Sequence, residues 1–214
     1  MEKVDIKPLR SNFNKLIFGG HFYPYNISLW ISVSIYNLYY FIQHGYNLYE
    51  LGLYGLIVLI ICGLNEYIFH RYILHKIFYK HHNKHHIYPN KLSIINTPMS
   101  LITILIFITY ILIDILTNKK IVTISLCVGP IYYVLFEFTH LFSHTYRGSN
   151  KIILNVKQYH KLHHIYENNN YGFTTIFWDW LFGTLSPKYI PSFTELLFGF
   201  IPFYSFCIHR GSVF

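Results

Sequence analysis

The sequence predicts an all-α membrane protein, with four transmembrane helices in two hairpins and a helical cap on the cytosolic side. Apolar residues make up 53% of the 214 positions and charged residues only 12%, whereas a soluble domain carries roughly 25% charged residues. Four apolar runs approach the roughly 20 residues that cross a bilayer core. Short groups of histidines stand at the ends of two runs and in the segments that follow them. These observations favour one membrane-embedded domain over residues 27–214, preceded by a cytosolic N-terminal segment, 1–26.

The four apolar runs cover residues 27–42, 51–69, 99–116 and 121–142. Short connections at 44–50 and 117–120 join them into the two hairpins. A shorter run, 196–207, contains a proline, and we expect it to be an interfacial or core helix rather than a span.

The distribution of positive charge predicts the orientation. Of the 17 lysines and arginines, only Lys119 and Lys120 fall in the two connections between spans. By the positive-inside rule, both termini and the 70–97 segment face the cytosol. The net charge of +8 suits an anionic leaflet. Nucleic acid binding is not expected, because no basic helix or loop stands free of the membrane core.

Ten histidines form four boxes with the spacings H-x4-H, H-x2-HH, H-x3-H and H-x2-HH. Neutral imidazole is the commonest metal-ligating side chain, and spacings of three or four residues place two rings on one helix face. Structural zinc takes four ligands and redox iron five or six, so ten ligands indicate two metal ions. The ligands alone do not identify the metal. The cap is therefore predicted to hold a histidine-rich dimetal site whose ligands are His70, His75, His82, His85, His86, His140, His144, His160, His163 and His164.

The first box has an unusual spacing. His70 and His75 are five residues apart, and on an ideal α-helix their side chains would diverge by roughly 140°. The two rings can reach one ion only if the helix ends, tightens or bulges between them. Otherwise each ring faces a different ion.

Two acidic residues accompany the boxes. Glu66 lies four residues before His70, and Glu137 lies three before His140. Each is expected to accept the free N–H of a liganding imidazole, which would fix the tautomer and orientation of that ring. The alternative is a glutamate at the membrane interface whose carboxylate is hydrated. The remaining histidines are expected not to be ligands: His21, His44, His81 and His209.

With these motifs, the sequence resembles the fatty acid hydroxylase / sterol desaturase superfamily over about residues 65–185. The matching pattern is E-Y-x2-H-R-x3-H, then H-x2-HH followed by Pro89, E-x2-H-x3-H and a final H-x2-HH. The stretch Tyr171-Gly172-Phe173-Thr174-Thr175 with Trp178-Asp179 is similar to the family segment that follows the last box. The H-x4-H box and the acidic residue before the third box place the chain nearest the sphingolipid fatty acid 2-hydroxylase branch.

The resemblance implies a di-iron oxygenase of the endoplasmic reticulum membrane, with zinc possible by substitution. Such an enzyme uses O2, and electrons from cytochrome b5 and its reductase, to oxidise an unactivated C–H bond of a membrane lipid. The resemblance carries the metal-ligand role to the ten histidines of the boxes. Asp179 would support the position of the final box from the loop, or it would serve as an ordinary helix cap.

The branch often carries a fused cytochrome b5 domain, and here only 26 residues precede the first run, so we expect the electron donor to be a separate protein. Three alternatives stay open. A sterol desaturase or sterol oxidase of the same superfamily would share the boxes. A metal transporter would instead place its ligands near the bilayer midplane. A degenerate, non-catalytic relative is the third.

Overall fold

The computed structural model describes residues 23–89 and 99–198, and every regular element in these two ranges is helical. The elements are α1 (Tyr23–Gln43), α2 (Leu48–Ile68), a π-helical segment (Phe69–Ile77), α3 (Tyr79–Ile87), α4 (Met99–Leu116), α5 (Lys119–Thr145), α6 (Lys151–Ile165), α7 (Phe177–Leu181) and α8 (Phe193–Phe198). The four predicted runs correspond to α1, to α2 with the first residue of the π-helical segment, to α4 and to α5. Most of the predicted N-terminal segment and most of the run 196–207 lie outside the described residues.

Three helices begin at an asparagine cap. The side-chain oxygens of Asn47, Asn118 and Asn150 accept backbone N–H groups at the starts of α2, α5 and α6, at 2.8 to 3.3 Å. Such caps satisfy donors that the first helical turn leaves without partners. The caps Asn47 and Asn118 therefore also fix where the short connections before α2 and α5 end.

The long helix α5 lies at the centre of the fold and packs against α1, α2, α4 and α6. On the α1 side, Ile27 and Trp30 are buried against Tyr133 and Val134. At the start of α5, the Lys120 ammonium binds the Glu50 carboxylate of α2 at 2.8 and 3.0 Å. This ion pair places the two inter-helix connections at the same end of the molecule, opposite the histidine boxes.

Two stretches are long and apolar enough to cross a membrane by length and composition, Leu48–Ile77 and Lys119–Thr145. Large apolar side chains of α2, including Leu53, Leu56 and Ile60, are exposed on the surface, as lipid-facing residues would be. Helices α1 and α4 occupy the other two predicted positions. Their role as spans stays a prediction.

The first histidine box is carried by a π-helix of nine residues, Phe69–Ile77. Its last bond runs from the Phe78 N–H to the Ile73 carbonyl, five residues back, at 2.8 Å. The wider turn brings residues five apart into line, so the rings of His70 and His75 lie 5.0 Å apart between centroids. The helix therefore neither ends nor tightens between the two histidines; it widens. π-turns are rare and often mark functional sites.

After α6 the chain turns back toward the start of the π-helical segment. Asn170 makes the turn with φ of 57°, a conformation that asparagine tolerates better than most residues. Its buried side chain donates to the Tyr159 carbonyl at 3.1 Å and accepts the Ser186 N–H at 2.7 Å. The loop that follows, residues 171–174, runs beside the histidines.

Candidate metal centre

The ten box histidines converge on two neighbouring sites. Four rings in each set have ligand atoms within 4.8 Å of one another. His86 joins the first set through an Nε2–Nε2 distance of 3.1 Å to His82, and His140 joins the second through 3.1 Å to His85. We call His70, His75, His82, His86 and His163 site 1, and His85, His140, His144, His160 and His164 site 2.

The two sites are interleaved along the chain. The π-helical segment supplies only site 1, and α5 supplies only site 2. Helix α3 places His85 in site 2 and its other two box histidines, His82 and His86, in site 1. Helix α6 places His163 in site 1 and its other two box histidines, His160 and His164, in site 2. The open question about His70 and His75 is thus answered, since both belong to the same site.

The spacing of the ring nitrogens fits a bound ion. Neighbouring Nε2 atoms lie 2.8 to 3.3 Å apart within the sites. Metal–imidazole bonds are roughly 2.0–2.1 Å long, which separates two ligands at right angles by about 3.0 Å and two at a tetrahedral angle by about 3.4 Å. The observed distances therefore fall in the range expected for two imidazoles that bind one ion. The all-nitrogen donor set suits iron and zinc alike.

Two site 1 rings have their tautomer fixed by the backbone. His70 Nδ1 donates to the Tyr171 carbonyl at 2.5 Å, and His163 Nδ1 donates to the Asn169 carbonyl at 2.7 Å. A proton on Nδ1 leaves the Nε2 lone pair free to bind a cation. Sequence reasoning missed these two partners, because a backbone carbonyl carries no residue-specific signal.

The rings on α3 and α6 are held neutral. Burial, and then the neighbouring imidazoles, lower the pKa of His85 to about 2 and that of His86 to about 4. The same two causes lower the pKa of His164 to about 3. Since metals bind the unprotonated ring, both sites are ready for a cation at neutral pH.

Glu66 contacts the backbone rather than an imidazole. Its Oε1 accepts the N–H groups of Phe173 and Thr174, the latter at 3.1 Å, and its Oε2 accepts the Tyr132 hydroxyl at 2.7 Å and the Thr174 hydroxyl. The expected bond to a liganding ring is absent among the described residues. Glu66 instead holds the loop whose Phe173 ring stacks on His70 at 4.8 Å. Tyr132 and Thr174 are partners that sequence reasoning missed.

Asp179 is completely buried and holds the same loop from the other side. Its Oδ1 accepts the Tyr171 N–H at 2.9 Å and the Thr184 hydroxyl at 2.7 Å. Its Oδ2 accepts the Gly172 N–H and the Tyr159 hydroxyl, each at 2.7 Å. Burial raises the pKa of this carboxyl, against the opposing effect of its hydrogen bonds. It is thus bound to the loop and to α6 at once.

The other candidates are placed as follows. Glu137 is buried one turn before His140, and no described imidazole lies within hydrogen-bond distance of its carboxylate. Glu167, which the sequence did not single out, approaches His86 Nδ1 to 3.8 Å. His81 is exposed, and His44, directly after α1, donates from its ring Nδ1 to the Tyr40 carbonyl. His21 and His209 lie outside the described residues.

A mostly apolar cavity of about 420 Å³ opens between α2, α4 and α5, within the usual size range of ligand pockets. Its far end is lined by Val58, Ile113 and Val122, and its near end by His70 and Glu66. The cavity therefore extends from the apolar region between the helices to His70, one residue of site 1.

Comparison with known proteins agrees with this architecture. Residues 55–184, more than half of the chain, match the fatty acid hydroxylase family. A fatty acid 2-hydroxylase of Rattus norvegicus is 28% identical over 63% of this chain, but that match spans only 40% of the rat protein. The dihydroceramide fatty acyl 2-hydroxylase FAH1 of Arabidopsis thaliana is 24% identical over 76% of this chain and 73% of its own length. A solved structure of full-length scs7p, in which only the hydroxylase domain is visible, superposes with a TM-score of 0.72 at 24% identity, covering 86% of this chain and 74% of that one.

Proposed function

The chain belongs to the fatty acid hydroxylase family, and from this premise we propose that it is a membrane di-iron oxygenase that hydroxylates a fatty acyl chain. The observation that carries the proposal is the apolar cavity that is lined in part by His70 of site 1. A long apolar substrate and a histidine metal site are thereby adjacent. The related 2-hydroxylases favour the carbon next to the acyl carbonyl as the position oxidised, on a free or ceramide-linked acyl chain.

The chain's own residues would bind and orient the substrate. The walls formed by α2, α4 and α5 would hold the acyl tail and exclude water from it, with the reacting C–H bond next to His70. Opening between helices, the cavity would admit a lipid sideways from the bilayer. Asn65 lines it near this end and offers an amide N–H group to the substrate's carbonyl.

The ten histidines would hold two iron ions, with zinc able to substitute. The bound pair would supply the reaction of O2 with the substrate C–H bond. In the overall reaction, one oxygen atom of O2 converts a C–H bond into C–OH. The other oxygen atom leaves as water, and two electrons and two protons are consumed. Imidazole ligands that stay neutral suit this chemistry, because they leave the positive charge on the metal pair.

The electrons would come from a separate cytochrome b5-type donor and its reductase on the cytosolic side of the endoplasmic reticulum. Exposed lysines near the sites support this, namely Lys80, Lys84, Lys151 and Lys161, while the partly buried Lys157 donates to the Tyr146 carbonyl at 2.9 Å. Attraction between oppositely charged faces speeds association and is screened by salt. Turnover at limiting cytochrome b5 should therefore fall as ionic strength rises; a rate that depends on neither donor nor salt would contradict this route.

Lipid mass spectrometry of cells that express the protein, beside a His163→Ala control, tests the proposed activity. We expect one added oxygen atom at the 2-position of acyl chains, present with the wild-type protein and absent with the variant. Loss of two hydrogens from a sterol would favour the sterol desaturase alternative. Unchanged lipids, with two metals bound per chain, would favour a non-catalytic relative.

A further inference from the structure

The loop of residues 169–172 lies directly behind site 1. Its Asn169 and Tyr171 carbonyls accept the Nδ1 protons of His163 and His70. In the described part of the chain, no site 2 ring bonds this loop; the hydrogen-bond-range contacts of His140 and His160 are with other rings. The backbone carbonyls of this loop therefore orient rings in one site only.

Asp179 fixes the middle of this loop. Each of its two oxygens accepts one backbone N–H, from Tyr171 at 2.9 Å and from Gly172 at 2.7 Å. The loop fits closely here, since a Cβ atom on Gly172 would lie 2.0 Å from the Thr175 carbonyl oxygen. Asp179 thus holds the Tyr171–Gly172 peptide unit, whose carbonyl orients His70.

We propose that Asp179 is a positioning residue that sets the metal affinity of site 1 through the Tyr171 carbonyl, without setting that of site 2. The proposal rests on the dimetal function proposed above. A hydrogen bond that orients a liganding imidazole typically contributes about 10–100-fold to metal affinity. Glu66 does not share this selectivity, because the Phe173 ring that it helps to place contacts His70 of site 1 and both His140 and His160 of site 2.

An asparagine cannot replace Asp179, for a geometric reason. One carboxylate oxygen faces the Tyr171 N–H and the other faces the Gly172 N–H. Whichever way the amide of a substituted asparagine were turned, its NH2 group would face a backbone donor. Asp179→Asn should therefore release one of the two backbone bonds while changing neither the volume nor the shape of the side chain.

The experiment counts metal ions per chain. Purified full-length protein is loaded with iron in detergent, dialysed against a weak chelator and analysed for bound metal, with helicity and gel filtration as checks of folding. We expect two ions in the wild type and about one in Asp179→Asn. Tyr159→Phe is the matched control: it removes a hydroxyl donor from the same carboxylate but leaves both backbone bonds, and it should retain two ions.

Double variants identify which ion is lost. His75→Ala weakens site 1 and His144→Ala weakens site 2. Adding Asp179→Asn to His75→Ala should cause no further loss, because both changes act on one site, whereas adding it to His144→Ala should leave almost no metal. Where Asp179→Asn does not fold, Asp179→Glu serves as the second loop variant: it keeps the negative charge but moves both carboxylate oxygens by one methylene group relative to the Tyr171 and Gly172 N–H groups, and it should give the same pattern.

Several results would overturn the proposal. Two retained ions in folded Asp179→Asn, equal loss from both sites, or loss from site 2 alone would each do so. Unfolding of both loop variants would show a general folding role instead of a site-selective one, and would also overturn it. Fewer than two ions in the wild type would refute the dimetal function itself, which is a distinguishable failure.

Discussion

Gly129 of α5 lines the cavity opposite Cys62 of α2. A Cβ atom at Gly129 would lie 3.9 Å from the Cys62 sulfur, an ordinary contact, so it can be added there without moving the backbone. Cys62 is eight residues before His70, which is about 12 Å along a helix axis. Gly129→Leu should therefore fill the cavity at about that distance from site 1.

The expected effect depends on the length of the substrate. Leucine adds four carbon atoms to the cavity wall and would displace about four methylene groups of a long acyl chain. At about 0.8 kcal/mol per methylene, this costs the long substrate about 3 kcal/mol, or roughly 200-fold in kcat/KM. A substrate too short to reach Gly129 should lose little.

Competition between acyl chains of different lengths, with products separated by mass spectrometry, measures this shift. Gly52→Leu is the matched control, because Gly52 also lies in an apolar helix but has open space around it and does not line the cavity. It should leave the length profile unchanged. An equal loss of activity for all chain lengths in Gly129→Leu, or no loss at all, would refute the assignment of this cavity to the acyl chain.

Three further predictions concern the metal centre. His81→Ala should keep most of the turnover and both metals, whereas His82→Ala should abolish turnover. A loss of turnover in His81→Ala at full metal content would show that the second box is misassigned. Glu66→Gln should retain activity, because its amide oxygen can still accept both backbone N–H groups. Glu66→Ala leaves buried donors without partners, which costs about 1–3 kcal/mol of stability per donor, and it should reduce turnover at least tenfold. Identical activities in the two variants would contradict this. The metal-free protein should become less stable as the pH falls from about 6.5 to 4. Burial lowers the pKa of rings such as His86 to about 4 in the folded protein, so the unfolded chain binds more protons than the folded one in this pH range. Denaturant unfolding at pH 7.5 and 5.5 measures the change, and equal or greater stability at pH 5.5 would contradict it.

The sequence was sufficient to predict the helical architecture and the identity of the clustered histidines. Apolar runs mark helices wherever a chain must bury its backbone groups in lipid, and H-x2-HH or H-x3-H places rings on one face whatever the surroundings. The helix positions of α1, α4 and α5 accordingly lie close to the predicted runs. The partition into two sites of five was not predictable, because α3 and α6 each turn neighbouring histidines toward different sites.

Features that depend on distant contacts were also beyond the sequence. Whether His70 and His75 share a site depended on a change of helix type, which local spacing does not determine. The position of Glu66 suggested a ring partner one turn away, but its actual donors, at Phe173 and Thr174, follow it by more than a hundred residues. Loop backbone in that position competes successfully for a buried carboxylate, because its N–H groups would otherwise have no partner.

The π-helical segment has a consequence for how such chains tolerate changes in length. A widened turn accommodates one more residue than an ordinary helical turn, so it is the structural equivalent of a single-residue insertion. Deletion of one residue between His70 and His75 would convert H-x4-H into H-x3-H, and an ordinary α-helix would then bring the same two rings together. A sequence pattern that searches for proteins with this metal centre should therefore accept either spacing in the first box, since one-residue gaps there can preserve the site.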